Sequence, residues 1–170
     1  MKKSDNFARF LLFSIVPLSQ LILYFEARKF YQDKVPFIVD MKRLFNLTQL
    51  QYNLFEIISV LLYTIVSFCV MYGMYYLVIT VLLKHESTAL FFSLVVALSV
   101  SHLIGIWAYL IFKTFFPLVL TICQSFVLAI TFLLSSFKRK HSLQTSLLLF
   151  FIHMLINVTP LVIWGPEIKL

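Results

Sequence analysis

The sequence predicts an all-α, polytopic integral membrane protein with five transmembrane helices in a single domain, 1–170. Composition is the first reason. Hydrophobic residues make up 61% of the chain against 12% charged, with a mean hydropathy of +0.96, so a soluble fold has nowhere to put its apolar surface. The second reason is that the apolar residues form long runs bounded by charges. The third is the stretch between Lys84-His85-Glu86 and Lys138-Arg139-Lys140-His141, where Lys113 alone is formally charged and divides Ser87–Phe112 from Thr114–Phe137. Each of these two runs exceeds the roughly 20 helical residues that cross a hydrocarbon core of about 30 Å.

In chain order, the first span is placed at 8–26. Its apolar run, Phe10–Phe25, is short and contains Ser14, Pro17, Ser19 and Gln20. It is expected to cross with a kink near Pro17 while Arg9 and Arg28 snorkel; lying in the interface is the alternative. Lys2, Lys3 and Arg9 ahead of an apolar run look like a signal peptide. No small-residue cleavage site precedes Glu26, however, so the segment is expected to stay in the mature chain.

Residues 27–53 form a loop of mixed charge, with Arg28, Lys29, Asp33, Lys34, Asp40, Lys42 and Arg43 following Glu26. Within it, Val35–Phe45 reads either as a short amphipathic helix on the headgroups, with Phe37, Met41, Leu44 and Phe45 down, or as irregular loop. The second span, 54–83, has no formal charge after Glu56, and Tyr72, Tyr75 and Tyr76 suit an interfacial belt. The third and fourth spans, 88–112 and 115–137, make a helical hairpin reversing over Lys113–Pro117. Pro117 fits the first turn of the second helix, where its missing N–H costs nothing. The fifth span, 144–164, ends at Trp164.

A net charge of +7 in a soluble protein suggests nucleic acid, but here Lys and Arg sit just outside the apolar runs, where anionic headgroups attract them. No nucleic-acid role is expected. Five spans put seven of the 14 basic residues on each side of the membrane. The dense Lys138–Lys140 cluster is the stronger determinant and orients itself and the N-terminus to the cytosol. Asn46-Leu47-Thr48 then lies on the outer or lumenal side as a glycosylation acceptor close to the membrane, and Asn157-Val158-Thr159 falls inside the last span. Cys69 and Cys123 lie in apolar runs with no Cys-x-x-Cys or Cys/His cluster, and read as buried apolar thiols without metal or cofactor. With 3 Gly against 19 Phe and 8 Tyr, bulky side chains are expected to fill most helix interfaces in place of Gly-xxx-Gly contacts.

No Asp, Glu, Lys or Arg is expected deep in a span, which removes the usual signs of ion coupling, proton relay or acid–base catalysis, and the chain reads as a non-enzyme. Helical spacing places the deep polar residues on stripes. These are Ser99, His102, Gly105 and Tyr109 on the third span, Pro117, Thr121, Gln124 and Thr131 on the fourth, and Ser146, His153, Asn157 and Pro160 on the fifth. Ser99, His102, Gln124, His153 and Asn157 are therefore the candidate ligand-binding seam. Two readings stand: the side chains glue helices together at about 0.6 to 2 kcal/mol per bond, or they line a pocket for a polar headgroup or sterol hydroxyl. Two histidines without a carboxylate or thiolate make a poor metal site.

Two segments of the hairpin, Ala97-Leu98-Ser99-Val100-Ser101-His102-Leu103-Ile104-Gly105-Ile106-Trp107 and Gln124-Ser125-Phe126-Val127-Leu128-Ala129-Ile130-Thr131, carry a family likeness. They resemble the membrane region of Arv proteins, sterol and GPI homeostasis factors of the endoplasmic reticulum. The order of segments is also similar over roughly Phe7 to Ile163. Arv proteins carry an N-terminal zinc-ribbon-like region with paired Cys-x-x-Cys motifs that this chain lacks, so the resemblance implies a shortened member, a truncated product or a relative. It implies sterol or glycolipid as membrane-lipid partners, alongside other membrane proteins. The layout is similar too to the five-span Yip family, which implies a trafficking adaptor instead. A small bacterial membrane subunit, an immunity protein or transporter component, is the remaining alternative.

Overall fold

The computed structural model describes residues 2–31, 44–82, 87–112, 117–136 and 141–164. Five helices account for most of them: α1 Lys2–Tyr31, α2 Gln49–Tyr76 with a π-helical continuation Leu77–Leu82, α3 Ser87–Phe112, α4 Pro117–Ser136 and α5 Ser142–Trp164. Each contains a segment long and apolar enough to cross a membrane, and no strand occurs among the described residues. The five-span, all-α expectation holds, and the protein is an integral membrane protein.

The boundaries differ from the hydropathy reading where capping chemistry sets them. α2 begins at Gln49, ahead of the expected residue 54, because Thr48 and Gln51 form a capping box. Gln51 N–H donates to Thr48 Oγ1 at 3.4 Å, and Thr48 N–H donates to Gln51 Oε1 at 2.9 Å. α1 runs past residue 26 to Tyr31, which places Arg28 and Lys29 in its last turn, where the helix dipole favours cations. The charged loop is shorter than 27–53 at both ends. Most of the expected Val35–Phe45 amphipathic helix lies outside the described residues, and its last two members, Leu44 and Phe45, are exposed. The reversal over 113–116 also lies outside them; Pro117 opens α4 as expected.

Helix directions alternate. Arg9 Nη2 donates to Thr88 Oγ1 at 3.3 Å near the start of α1 and of α3, while Leu23, further along α1, lies against Gly105 of α3, so these two run parallel. Between them in sequence, α2 runs the other way, with Glu56 beside Arg28 and Phe68 beside Phe13. α3 is the most embedded, with half of its most apolar window buried, and it packs on α1 and α4; α5 packs on α4. α2 leans on α1 and only lightly on α3.

Lipid is as apolar as leucine, so burial alone does not drive these helices together, and close packing and polar bonds do. Phe68 meets Phe13 edge-on at 4.8 Å and Phe91 at 5.8 Å, joining α1, α2 and α3 through pairs worth about 0.5–1.5 kcal/mol each. Ser146 Oγ donates to the Ala129 carbonyl and draws α5 onto α4. Gly105 is a close-contact exception to the bulky-interface expectation: a Cβ there meets Leu23 Cδ1 at 3.3 Å and Leu120 Cδ1 at 3.4 Å.

Three expectations about facing are corrected. Cys69 is exposed on the outside of the bundle and Cys123 is half-buried, so neither is a core thiol. Tyr75 is fully buried and does not sit in an interfacial belt, because its hydroxyl has an interhelical partner. Glu56 is buried, contrary to the expectation of no buried formal charge, because Arg28 neutralises it from α1.

Candidate functional site

Where α2 stands off from the rest of the bundle, a cavity of about 200 Å³ opens. All five helices line it. α1 supplies Val16 and Gln20, and α3 supplies Leu98 and His102, each pair one helical turn apart on one face. α4 supplies Gln124 and α5 supplies Asn157. The α2 wall is Tyr63, Thr64, Ser67, Phe68 and Met71, and since Tyr63 is exposed on the bundle surface, the cavity reaches the lipid beside it.

The chemistry of the lining is polar and uncharged. Ser19 Oγ donates to the Val16 carbonyl at 2.9 Å and lies 2.8 Å from His102 Nδ1. A serine hydroxyl has one proton: directed at the Val16 carbonyl it leaves His102 Nδ1–H to donate to Ser19, and directed at His102 it leaves Nδ1 the acceptor, so the tautomer of His102 follows Ser19. Asn157 Nδ2 donates to the His153 carbonyl at 2.9 Å, which fixes its rotamer along α5. Thr64 Oγ1 donates to the Val60 carbonyl at 2.7 Å. Hydrogen bonds among the described residues leave the side-chain amides of Gln20 and Gln124 without a partner. Both glutamines are half-buried and line the cavity, so their amides are open to whatever enters.

Of the expected seam, the cavity gathers His102, Gln124 and Asn157 and leaves out Ser99 and His153. Ser99 Oγ is buried with no partner, away from the lining. His153 is fully buried, its Nδ1 lies 2.5 Å from Tyr75 Oη, and its Nε2 has no partner. The two histidines therefore serve different contacts, and among the described residues no group of three metal-ligating side chains occurs.

Sequence reasoning missed the α1 and α2 share of the site. Ser19 and Gln20 interrupt the apolar run of the first span, and polar residues in an apolar helix are what a bundle interior recruits. It also missed a polar cluster near the α1–α2 connection. Tyr24 Oη donates to Glu56 Oε1 at 2.9 Å, Arg28 donates to Glu56 Oε2, and the Arg28 guanidinium sits 5.5 Å from the centre of the Tyr52 ring. The signal was the matched spacing of Tyr24 with Arg28 and of Tyr52 with Glu56, each four apart on one helix face.

No protein-family model, curated protein or solved structure matches the chain.

Proposed function

We propose that the protein binds the hydroxyl end of a neutral membrane lipid in the five-helix cavity and through it takes part in lipid distribution or homeostasis. The observation that carries this reading is an uncharged, hydrogen-bonding lining at bilayer depth, in which His102 stands beside the unspent Gln20 and Gln124 amides, each with a donor and an acceptor. A hydroxyl both donates and accepts, and so matches that set. A phosphate needs a cation, and none lines the cavity. This chemistry favours a sterol-like lipid over a GPI intermediate. At about 200 Å³ the cavity is smaller than the roughly 300–1,000 Å³ that encloses a whole small molecule. It admits a headgroup, with the apolar body lying outside along Tyr63. The resemblance of the hairpin to Arv proteins supports placing this activity in the endoplasmic reticulum and supports a non-enzymatic role.

The experiment is photo-crosslinking of the full chain in membranes with a photoactivatable sterol, compared with a photoactivatable glycolipid. His102→Leu and Gln124→Leu are expected to remain abundant and to lose sterol capture, as befits buried polar contacts worth about 1–3 kcal/mol each. Equal capture by wild type and both variants overturns the reading.

A further inference from the structure

α2 is attached to the bundle differently from the other helices. Between Gln49 and Tyr76 its buried side chains are Tyr52, Glu56, Thr64, Phe68 and Tyr75, all but Phe68 carrying a polar group, and Ile79 is buried in its continuation. Two of these make interhelical polar contacts, and the contacts bracket the cavity: Glu56 with Arg28 and Tyr24 of α1 on one side, Tyr75 with His153 of α5 on the other. The cavity-lining residues of α2, Tyr63 to Met71, fall between them. In lipid nothing hydrophobic presses a helix inward, so exchanging these two polar contacts loosens a helix whose apolar packing on its neighbours is light.

We propose that α2 is the movable wall of the cavity, a lateral gate whose mouth beside Tyr63 is held narrow by the Glu56–Arg28 and Tyr75–His153 contacts and widens to let a lipid headgroup pass in from the bilayer. The gate rests on the reading that the cavity receives a lipid headgroup. The apolar contacts of α2 with its neighbours are few, Phe68 with Phe13 and Phe91, Tyr72 with Phe91, and the buried Ile79 of its continuation, and α2 packs less on α1 and α3 than α3 packs on α4.

The test is a pulsed electron-resonance distance measurement on the full chain in nanodiscs, in a Cys69→Ala, Cys123→Ala background. Spin labels go on exposed positions, Leu62→Cys on α2 with Ile130→Cys on α4, and a control pair couples Leu103→Cys on α3 with Ile130→Cys. With both contacts intact, one α2–α4 distance is expected. Tyr75→Phe, which deletes one hydroxyl, and Glu56→Gln are each expected to add a longer α2–α4 distance and leave the α3–α4 pair unchanged. If Glu56→Gln does not fold, Tyr75→Phe decides. A single unchanged distance in Tyr75→Phe overturns the gate, and so does lengthening of both pairs together, which is general loosening. No ligand enters this measurement. A lengthened α2–α4 distance beside absent sterol capture keeps the gate and rejects the occupant.

Discussion

Tyr75 Oη lies 2.5 Å from His153 Nδ1, a hydrogen bond between α2 and α5 in which both side chains are fully buried. The tyrosine lies in the last turns of an apolar helix, where aromatic residues ordinarily mark the water interface, yet it turns inward because the histidine offers a partner that hydrocarbon does not. The same bond also orients the imidazole, whose other nitrogen has no partner.

A double-mutant cycle on this pair tests its strength. Tyr75→Phe and His153→Leu are each expected to lower thermal stability, with a coupling of about 0.6–1.7 kcal/mol, the range of interhelical bonds measured in membrane proteins. Additive effects in chemical unfolding from detergent micelles show instead that the two side chains act independently.

The α1–α2 ion pair predicts an asymmetry. Removing one charge, by Arg28→Met or Glu56→Leu, leaves the other buried and is expected to cost about 3–5 kcal/mol. The double variant is expected to recover most of that loss, since two well-packed apolar groups replace both charges. The recovery is read as accumulation and melting temperature of the three proteins side by side. A double variant as unstable as its worse parent means that Tyr24 and Tyr52, which also contact the pair, depend on the charges for their own placement.

The five spans were legible because each is a run of apolar residues between charges, and depth in a bilayer is what hydropathy reports. Facing was not. On α3 the stripe of Ser99, His102, Gly105 and Tyr109 is weak against a helix whose apolar residues are spread all round, so it does not say which way His102 or Ser99 points. His102 turns to Ser19 of α1, and Ser99 misses the cavity. The early start of α2 was legible in principle from Thr48 and Gln51, a local signal that hydropathy overrides. The pairing of Arg28 with Glu56 was not, because it depends on how two helices align across a connection of mixed charge. Gln20 is a polar residue in a short apolar run, and its place on the cavity depends on how α1 packs against the other helices, which no local pattern encodes.

Gly105 predicts a size limit at the meeting of α1, α3 and α4. A Cβ lies 3.3 Å from Leu23 Cδ1, the end of a flexible side chain, so Gly105→Ala is expected to fold with little loss as that methyl moves aside. Gly105→Leu adds a side chain that the contact cannot accept and is expected to lower stability by about 1–3 kcal/mol. Thermal denaturation in detergent reads the difference; equal melting of the two variants means that α1 is free to move away.

Gln124 separates helix glue from ligand site in one residue. Its amide lines the cavity and has no hydrogen-bond partner among the described residues, so nothing interhelical is lost when it is removed. Gln124→Leu is therefore expected to match or exceed wild-type stability while losing sterol capture, whereas an amide that bridged helices would cost about 0.6–1.7 kcal/mol on removal. Gln124→Lys places a charge near the middle of α4, at about 3 kcal/mol on insertion scales, and is expected to reduce accumulation. Accumulation is read by quantitative blotting of membrane fractions. Normal levels of the lysine variant mean that water fills the cavity and solvates the ammonium, and a water-filled cavity removes the advantage that a buried hydroxyl-binding site gives a neutral lipid.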